Sequence, residues 1–190
     1  MDKKFIKIGL ISTSDRAHQG VYEDRGIPEL QSWLEETIKE NINFISQVIP
    51  DEFELIKNTL IHFVDIEQCH LIFTTGGTGP AIRDVTPDAT ESIADKLMPG
   101  FGEMMRQISL HFVPTAILSR QTAVIRNKTL IVNLPGQPKA IKQILGGLKD
   151  DQGKVLVEGL FASIPYCIEL LDGPIINTDP SIICAFRPKK

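Results

Sequence analysis

The sequence is short of basic charge, of cysteine and of long apolar runs, and each shortage removes a class of function. Across 190 residues, 20 lysines and arginines face 24 aspartates and glutamates, a net charge of −4. Non-specific binding to nucleic acid or a membrane surface wants the opposite sign, so neither partner is expected. Cys69, Cys167 and Cys184 are odd in number, widely spaced and without a C-x-x-C pair. They suggest neither a disulfide framework nor a zinc site, and are read as buried free thiols. His18, His62, His70 and His111 lack metal-ligand spacing and a recognisable nucleophile partner. No apolar stretch approaches the ~20 residues of a membrane span. Met1-Asp2-Lys3-Lys4 leads into a short strand-like run without a small-residue cleavage pattern, so no signal peptide is read and a cytoplasmic location is expected. There is no internal repeat, low-complexity tract or linker. With 42% hydrophobic and 23% charged residues, the composition fits one ordinary globular domain over 1–190.

The most informative stretch runs from Leu71 to Asp88. Apolar residues pass directly into Thr74-Thr75-Gly76-Gly77-Thr78-Gly79, and Thr86-Pro87 then offers an N-cap and a first-turn proline. The pattern predicts strand, tight loop, helix. Glycines at 76, 77 and 79 permit positive φ and a close approach of backbone N–H groups to an anion, and the threonines add hydroxyls. Neither common phosphate loop is present. No lysine follows as in a P-loop, and Ile82 stands where a dinucleotide fingerprint needs its third glycine. A plain tight turn competes with a phosphate site, and Arg83 and Asp84 favour the site.

The remaining chain reads as alternating strands and helices. Phe5–Ile11 is apolar on both faces, as in a buried parallel strand, and exits into Ser14-Asp15-Arg16. Ile27, Leu30, Trp33, Leu34 and Ile38 mark an amphipathic helix with Trp33 in the core. Phe44–Ile49 is a strand ending at Pro50-Asp51-Glu52, and Phe53 to Val64 a helix. Later helices are expected from Thr86-Pro87 to about Leu97, from Pro99 through Phe112, from Pro138, and from Leu160 to Leu171. Thr122–Ile125 and Thr129–Val132 read as strands, the second leaving through Leu134-Pro135-Gly136-Gln137-Pro138. Asp150–Gly153 is a surface turn, and the proline-bearing tail from Asp172 is a strand or an extension over a neighbour. This alternation implies an α/β fold with a mostly parallel sheet covered on both sides, and ligands at the carboxyl ends of its strands.

The strand exits therefore converge on one cleft. Asp51 and Asp84 beside a phosphate loop are a donor set for Mg²⁺, which takes one or two carboxylates plus water and substrate phosphate. The competing readings are an N-cap for Asp51 and, for Asp84, a turn or an ion pair with Arg83. Arg16, Arg83 and Arg120 are candidate anion clamps.

Thr-Thr-Gly-Gly-Thr-Gly-Pro-x-x-Arg-Asp-Val-Thr-Pro at 74–87, Pro-Gly-Phe-Gly-Glu at 99–103, Arg-Gln-Ile-Ser at 106–109 and Asn-Leu-Pro-Gly-Gln-Pro at 133–138 together resemble the molybdopterin adenylyltransferases of molybdenum-cofactor biosynthesis. The resemblance is to the bacterial stand-alone members and spans Lys4 to Pro188. It implies a doubly wound α/β domain that forms a homotrimer, works with other proteins of that pathway, and moves AMP from ATP to the terminal phosphate of molybdopterin with Mg²⁺. It implies that Asp51 and Asp84 are the catalytic and metal-holding pair. Thr75, Gly76, Gly77, Thr78 and Gly79, with Pro135 and Gly136, would bind nucleotide phosphate. Ser109 and Ser119 would face the pterin, with Ser14, Asp15, Arg16 and Arg120 on the same side. Two other functions stay open: hydrolysis of a nucleotide pyrophosphate, and a pterin carrier without chemistry.

Overall fold

The computed structural model describes residues 5–189, so Met1 to Lys4, the stretch read above for a signal peptide and the start of the family resemblance, lies outside the described residues. Three parallel strands open the chain: β1 (Ile6–Thr13), β2 (Ile42–Ile49) and β3 (Leu71–Thr75). Further on come β4 (Lys96–Leu97), β5 (Ala123–Arg126) and β6 (Thr129–Leu134). The sheet order is β2-β1-β3-β6-β5-β4, with β5 and β4 antiparallel at one edge. β2 and β3 thus flank β1, and the winding reverses there. In open α/β sheets such a reversal creates a crevice beyond the strand ends.

Alternation along the strands feeds two cores. Ile6, Ile8 and Leu10 of β1, Leu71 and Phe73 of β3, and Leu130 and Val132 of β6 face one layer. That layer holds α2 (Gly26–Thr37), α5 (Pro99–Leu110), α6 (Pro138–Gly146) and α7 (Ile164–Leu170). Ile11, Ile72, Val124 and Ile131 face the other, with α3 (Phe53–Ile61) and α4 (Thr86–Glu91). Burial on both faces is why these strands read as unbroken apolar runs. Trp33 packs edge-on against Phe161 at 5.2 Å between ring centroids.

Several expectations are corrected. The helix from Thr86 stops at Glu91 rather than near Leu97, because Lys96 and Leu97 pair with Val124 and Ile125 at the open edge of β5. The N–H groups of Asp95 and Met98 also donate to carbonyls of that strand, at 2.8 and 2.9 Å. Sheet pairing outcompetes two further helical turns. Thr86 is not an N-cap: Val85 holds that position without a side-chain cap, and the Thr86 hydroxyl bonds Thr13 instead. Helix α5 ends before Phe112, which is exposed. The 160–171 segment divides into a 3₁₀ turn over Leu160–Ala162 and α7, with Pro165 in its first turn. The 150–153 turn joins a separate hairpin of β7 (Gly147–Lys149) and β8 (Val155–Glu158). The tail packs back on its own chain, where Thr178 bridges Ile38 and Arg187 Nε donates to Glu169 at 2.6 Å. Cys69 is buried, its thiol pushed up to about 12 by burial, and Cys167 is half-buried, but Cys184 is exposed. Among the described residues no helix is long and apolar enough to cross a membrane.

Candidate active site

β1 ends in Thr13, and Ser14 caps the four-residue helix α1 (Asp15–His18) by accepting the Ala17 N–H at 3.2 Å. Beyond β2, Asp51 and Asp15 exchange hydrogen bonds. The Asp15 N–H donates to Asp51 Oδ2 and the Asp51 N–H to Asp15 Oδ1, each at 3.0 Å. Asp51 is therefore no N-cap; Glu52 occupies that position before α3. Asp51 Oδ1 is buried and has no hydrogen-bond partner. Burial raises the Asp51 carboxyl above the ordinary carboxylate range, and the negative charges of Asp15 and Asp84 act in the same direction.

Gly76 and Gly77 adopt positive φ, +94° and +60°, whereas Gly79, grouped with them in the sequence, does not. Their chain path is pinned from both sides: the Gly76 N–H donates to Leu134 O, and Gly77 O accepts the Thr86 N–H, each at 3.2 Å. A Cβ on Gly77 would lie 2.3 Å from Thr86 Oγ1 and 3.0 Å from Asp51 Oδ1. That glycine is thus required by packing inside the loop as well as by its φ, which a reading in terms of ligand approach alone misses. Asp84 Oδ2 accepts the Ala81 N–H at 2.9 Å and closes a turn. It is not the partner of Arg83, whose guanidinium grips both oxygens of Asp15 at 2.7–3.0 Å.

Arg120 is equally committed. It donates to Asp88 at 2.7 and 2.9 Å, to the Gly79 carbonyl at 3.1 Å and to the Asp84 carbonyl, and its own N–H reaches Thr78 O. These pairs hold the Asp15 and Asp88 carboxyls below the usual range. Of the three expected anion clamps, only Arg16 lines the cleft, with its guanidinium 5.5 Å from the Tyr22 ring centroid.

The cleft is a cavity of about 650 Å³ where β1, β2, β3 and β6 end. It brings together Ser14, Arg16, Asp51, Thr75, Gly76, Gly77, Asp84 and Gly136 from the sequence reading. Thr78, Gly79 and Pro135 do not line it, although their chain neighbours Gly77 and Gly136 do, and Asp15 and Arg120 bond to its surroundings from outside. Ser109 and Ser119 do not line it. Ser109 is half-buried near the end of α5, and Ser119 Oγ accepts the Gln121 N–H at 3.3 Å. Sequence reasoning missed the 22–25 segment. Asp24 lines the cavity and accepts from Ser12 Oγ at 2.7 Å and from the Ile27 N–H at 2.9 Å. An aspartate three residues before Ile27 was a legible helix-start signal.

The donor set suits Mg²⁺. Among the described residues no group of three or more metal-binding side chains exists, so a site built from protein alone is absent. Two carboxylates on one cavity, one with an orphaned oxygen, match a cation whose other ligands are phosphate and water.

Fold and site together define a doubly wound α/β domain with a glycine loop and two carboxylates lining one cavity at its topological switch point. Residues 9–152 match the family described as "Probable molybdopterin binding domain", and the chain belongs to that family. It is 61% identical over 184 residues to the molybdopterin adenylyltransferase of Haemophilus influenzae, covering 97% of this chain and 93% of that protein. The molybdopterin adenylyltransferase of Helicobacter pylori strain 26695 is 48% identical over 185 residues, covering 97% and 98%. Among solved structures, the molybdopterin biosynthesis enzyme MoaB from Thermus thermophilus superposes with a TM-score of 0.76 at 32% identity, over 90% of this chain and 99% of that one.

Proposed function

We propose that this chain transfers the adenylyl group of ATP to the terminal phosphate of molybdopterin, yielding adenylylated molybdopterin and pyrophosphate in molybdenum-cofactor biosynthesis. The observation that carries the reading is the meeting of Asp51, Asp84 and the Gly76-Gly77 loop in one cavity, in a chain so similar to relatives named for that activity. A phosphate oxygen of molybdopterin attacks the α-phosphorus, a new P–O bond forms, and the bond to the β-phosphate oxygen breaks with its electron pair leaving on pyrophosphate. The attacking group is already an anion, so no side chain needs to remove a proton. Catalysis is then positioning and charge neutralisation.

The glycine loop at Gly76 and Gly77 and the N-terminus of α6 border the place where negative charge develops, and Arg16 adds a cation. Asp51 and Asp84 would hold Mg²⁺, which supplies neutralisation of the phosphate oxygens. Residues 1–190 act as one domain, in a cytoplasmic homotrimer that exchanges pterin with other proteins of the pathway; the support is the family resemblance and the exposed apolar side chains around α5. The test is turnover with ATP, Mg²⁺ and molybdopterin, following adenylylated product. ATP hydrolysis independent of molybdopterin would favour a pyrophosphohydrolase instead.

A further inference from the structure

We infer that Asp15 and Arg83 are a positioning pair that sets the separation of Asp51 and Asp84, rather than ligands of pterin or triphosphate; the inference deepens the adenylyl-transfer reading and rests on it. Two carboxylates from different strand exits can share one cation only if something fixes their spacing, and here one continuous chain of bonds does so. It begins at Asp51, whose Oδ2 is held by the Asp15 N–H while its own N–H holds Asp15 Oδ1. With Oδ2 so engaged, Oδ1 is left as the partnerless oxygen.

The chain continues through the Asp15 carboxylate to Arg83, 68 residues away, the residue directly before Asp84. Both Asp15 oxygens are gripped, so the guanidinium is fixed in angle as well as distance. Neither Asp15 nor Arg83 lines the cavity, although their chain neighbours Ser14, Arg16 and Asp84 do. The opposite flank of the loop is fixed independently by Arg120 on Asp88, Gly79 O and Asp84 O. Arg120 ties the loop to the lead into β5, and Arg83 ties it to Asp51.

The test is a double-mutant cycle of Asp15→Asn, Arg83→Gln and the double variant, with Arg83→Lys alongside. Four readouts are taken: kcat, KM for each substrate, Mn²⁺ binding by electron paramagnetic resonance with a non-hydrolysable ATP analogue, and melting temperature. Each single variant is expected to lower kcat about 10- to 100-fold, the scale of a misplaced reactive geometry. Mn²⁺ affinity should fall about tenfold, and KM for molybdopterin should stay within about twofold. The double variant should be no worse than the worse single, since both break one link. Arg83→Lys should fail to rescue, because a lysine cannot grip both oxygens at a fixed angle. Additive effects would overturn the inference, as would an ATP KM raised by Arg83→Gln with kcat and Mn²⁺ affinity unchanged. A lower melting temperature with normal kcat per folded molecule would also overturn it. If the unaltered chain forms no adenylylated product yet Mn²⁺ binding still couples Asp15 to Arg83, the functional reading fails and the pair stands.

Discussion

Thr13 and Thr86 share a hydroxyl–hydroxyl hydrogen bond of 3.0 Å that joins the end of β1 to the first residue of α4 behind the glycine loop. Thr13 also donates to Thr75 O at 3.2 Å, and Thr90 to Thr86 O at 2.8 Å. The fully buried Asn133 donates to Thr74 and Thr90 at 2.9 and 3.0 Å. These side chains link β1, β3, β6 and α4 in one buried polar network, an arrangement that makes a single loop geometry strongly preferred.

Gly77→Ala should lower melting temperature and turnover together. The new Cβ meets Thr86 Oγ1 and Asp51 Oδ1, and φ is +60°. Overpacking of this kind costs about 1–3 kcal/mol. Adding Thr86→Ala should recover part of the stability but little turnover, because the Asp51 oxygen is still crowded. Thermal melts and turnover on the same preparations check both statements.

Asp84→Asn should retain the fold and lose adenylyl transfer by orders of magnitude. The amide oxygen can still accept the Ala81 N–H, so the turn survives while the charge is lost. Near-normal turnover, measured on protein with an unchanged melting curve, would remove Asp84 from the chemistry.

Asp51→Asn should be inactive yet melt higher than the unaltered protein at pH 7. Burial, with Asp15 and Asp84 nearby, keeps the folded carboxyl above its ordinary 3.8, so the folded state binds the proton more tightly than the unfolded state. Stability therefore falls as pH rises through the window between 3.8 and the raised value, and above it the ionised group costs stability. The variant's advantage should shrink as pH is lowered through that window. Melting temperatures measured from pH 7 down to about 4 would reveal the opposite trend if Asp51 were stabilised by ionisation.

Phe161→Ala should cost about 3–5 kcal/mol, since it empties a fully buried aromatic site against Trp33. Trp33 is the sole tryptophan, so its fluorescence in a urea titration reports the loss directly.

Leu110, Phe112, Ile117 and Leu118 lie exposed at the end of α5 and on the 3₁₀ turn that follows, over Pro114–Leu118. The proposed trimer buries such a surface, and Ile117→Asp should shift sedimentation toward monomer at equal concentration. A trimer unchanged by that substitution would move the interface elsewhere.

What the sequence determined by itself was local. Continuous apolar runs marked β1, β3 and β6 because both faces are buried, and apolar spacing marked α2 and α3 because one face is. The glycines at 76 and 77 announced the positive φ they adopt, and the rule for parallel sheets put the exits in one cleft. Tertiary structure decided the rest. Lys96 and Leu97 left the helical pattern because β5 offered an unpaired edge. Arg83 chose Asp15 over its neighbour Asp84, and Asp51 chose the N–H of Asp15 over the start of its own helix. Those choices join residues 36 and 68 positions apart. They depend on β2 and β3 pairing with opposite edges of β1, and a hydrophobic period records burial without recording which strand lies beside which.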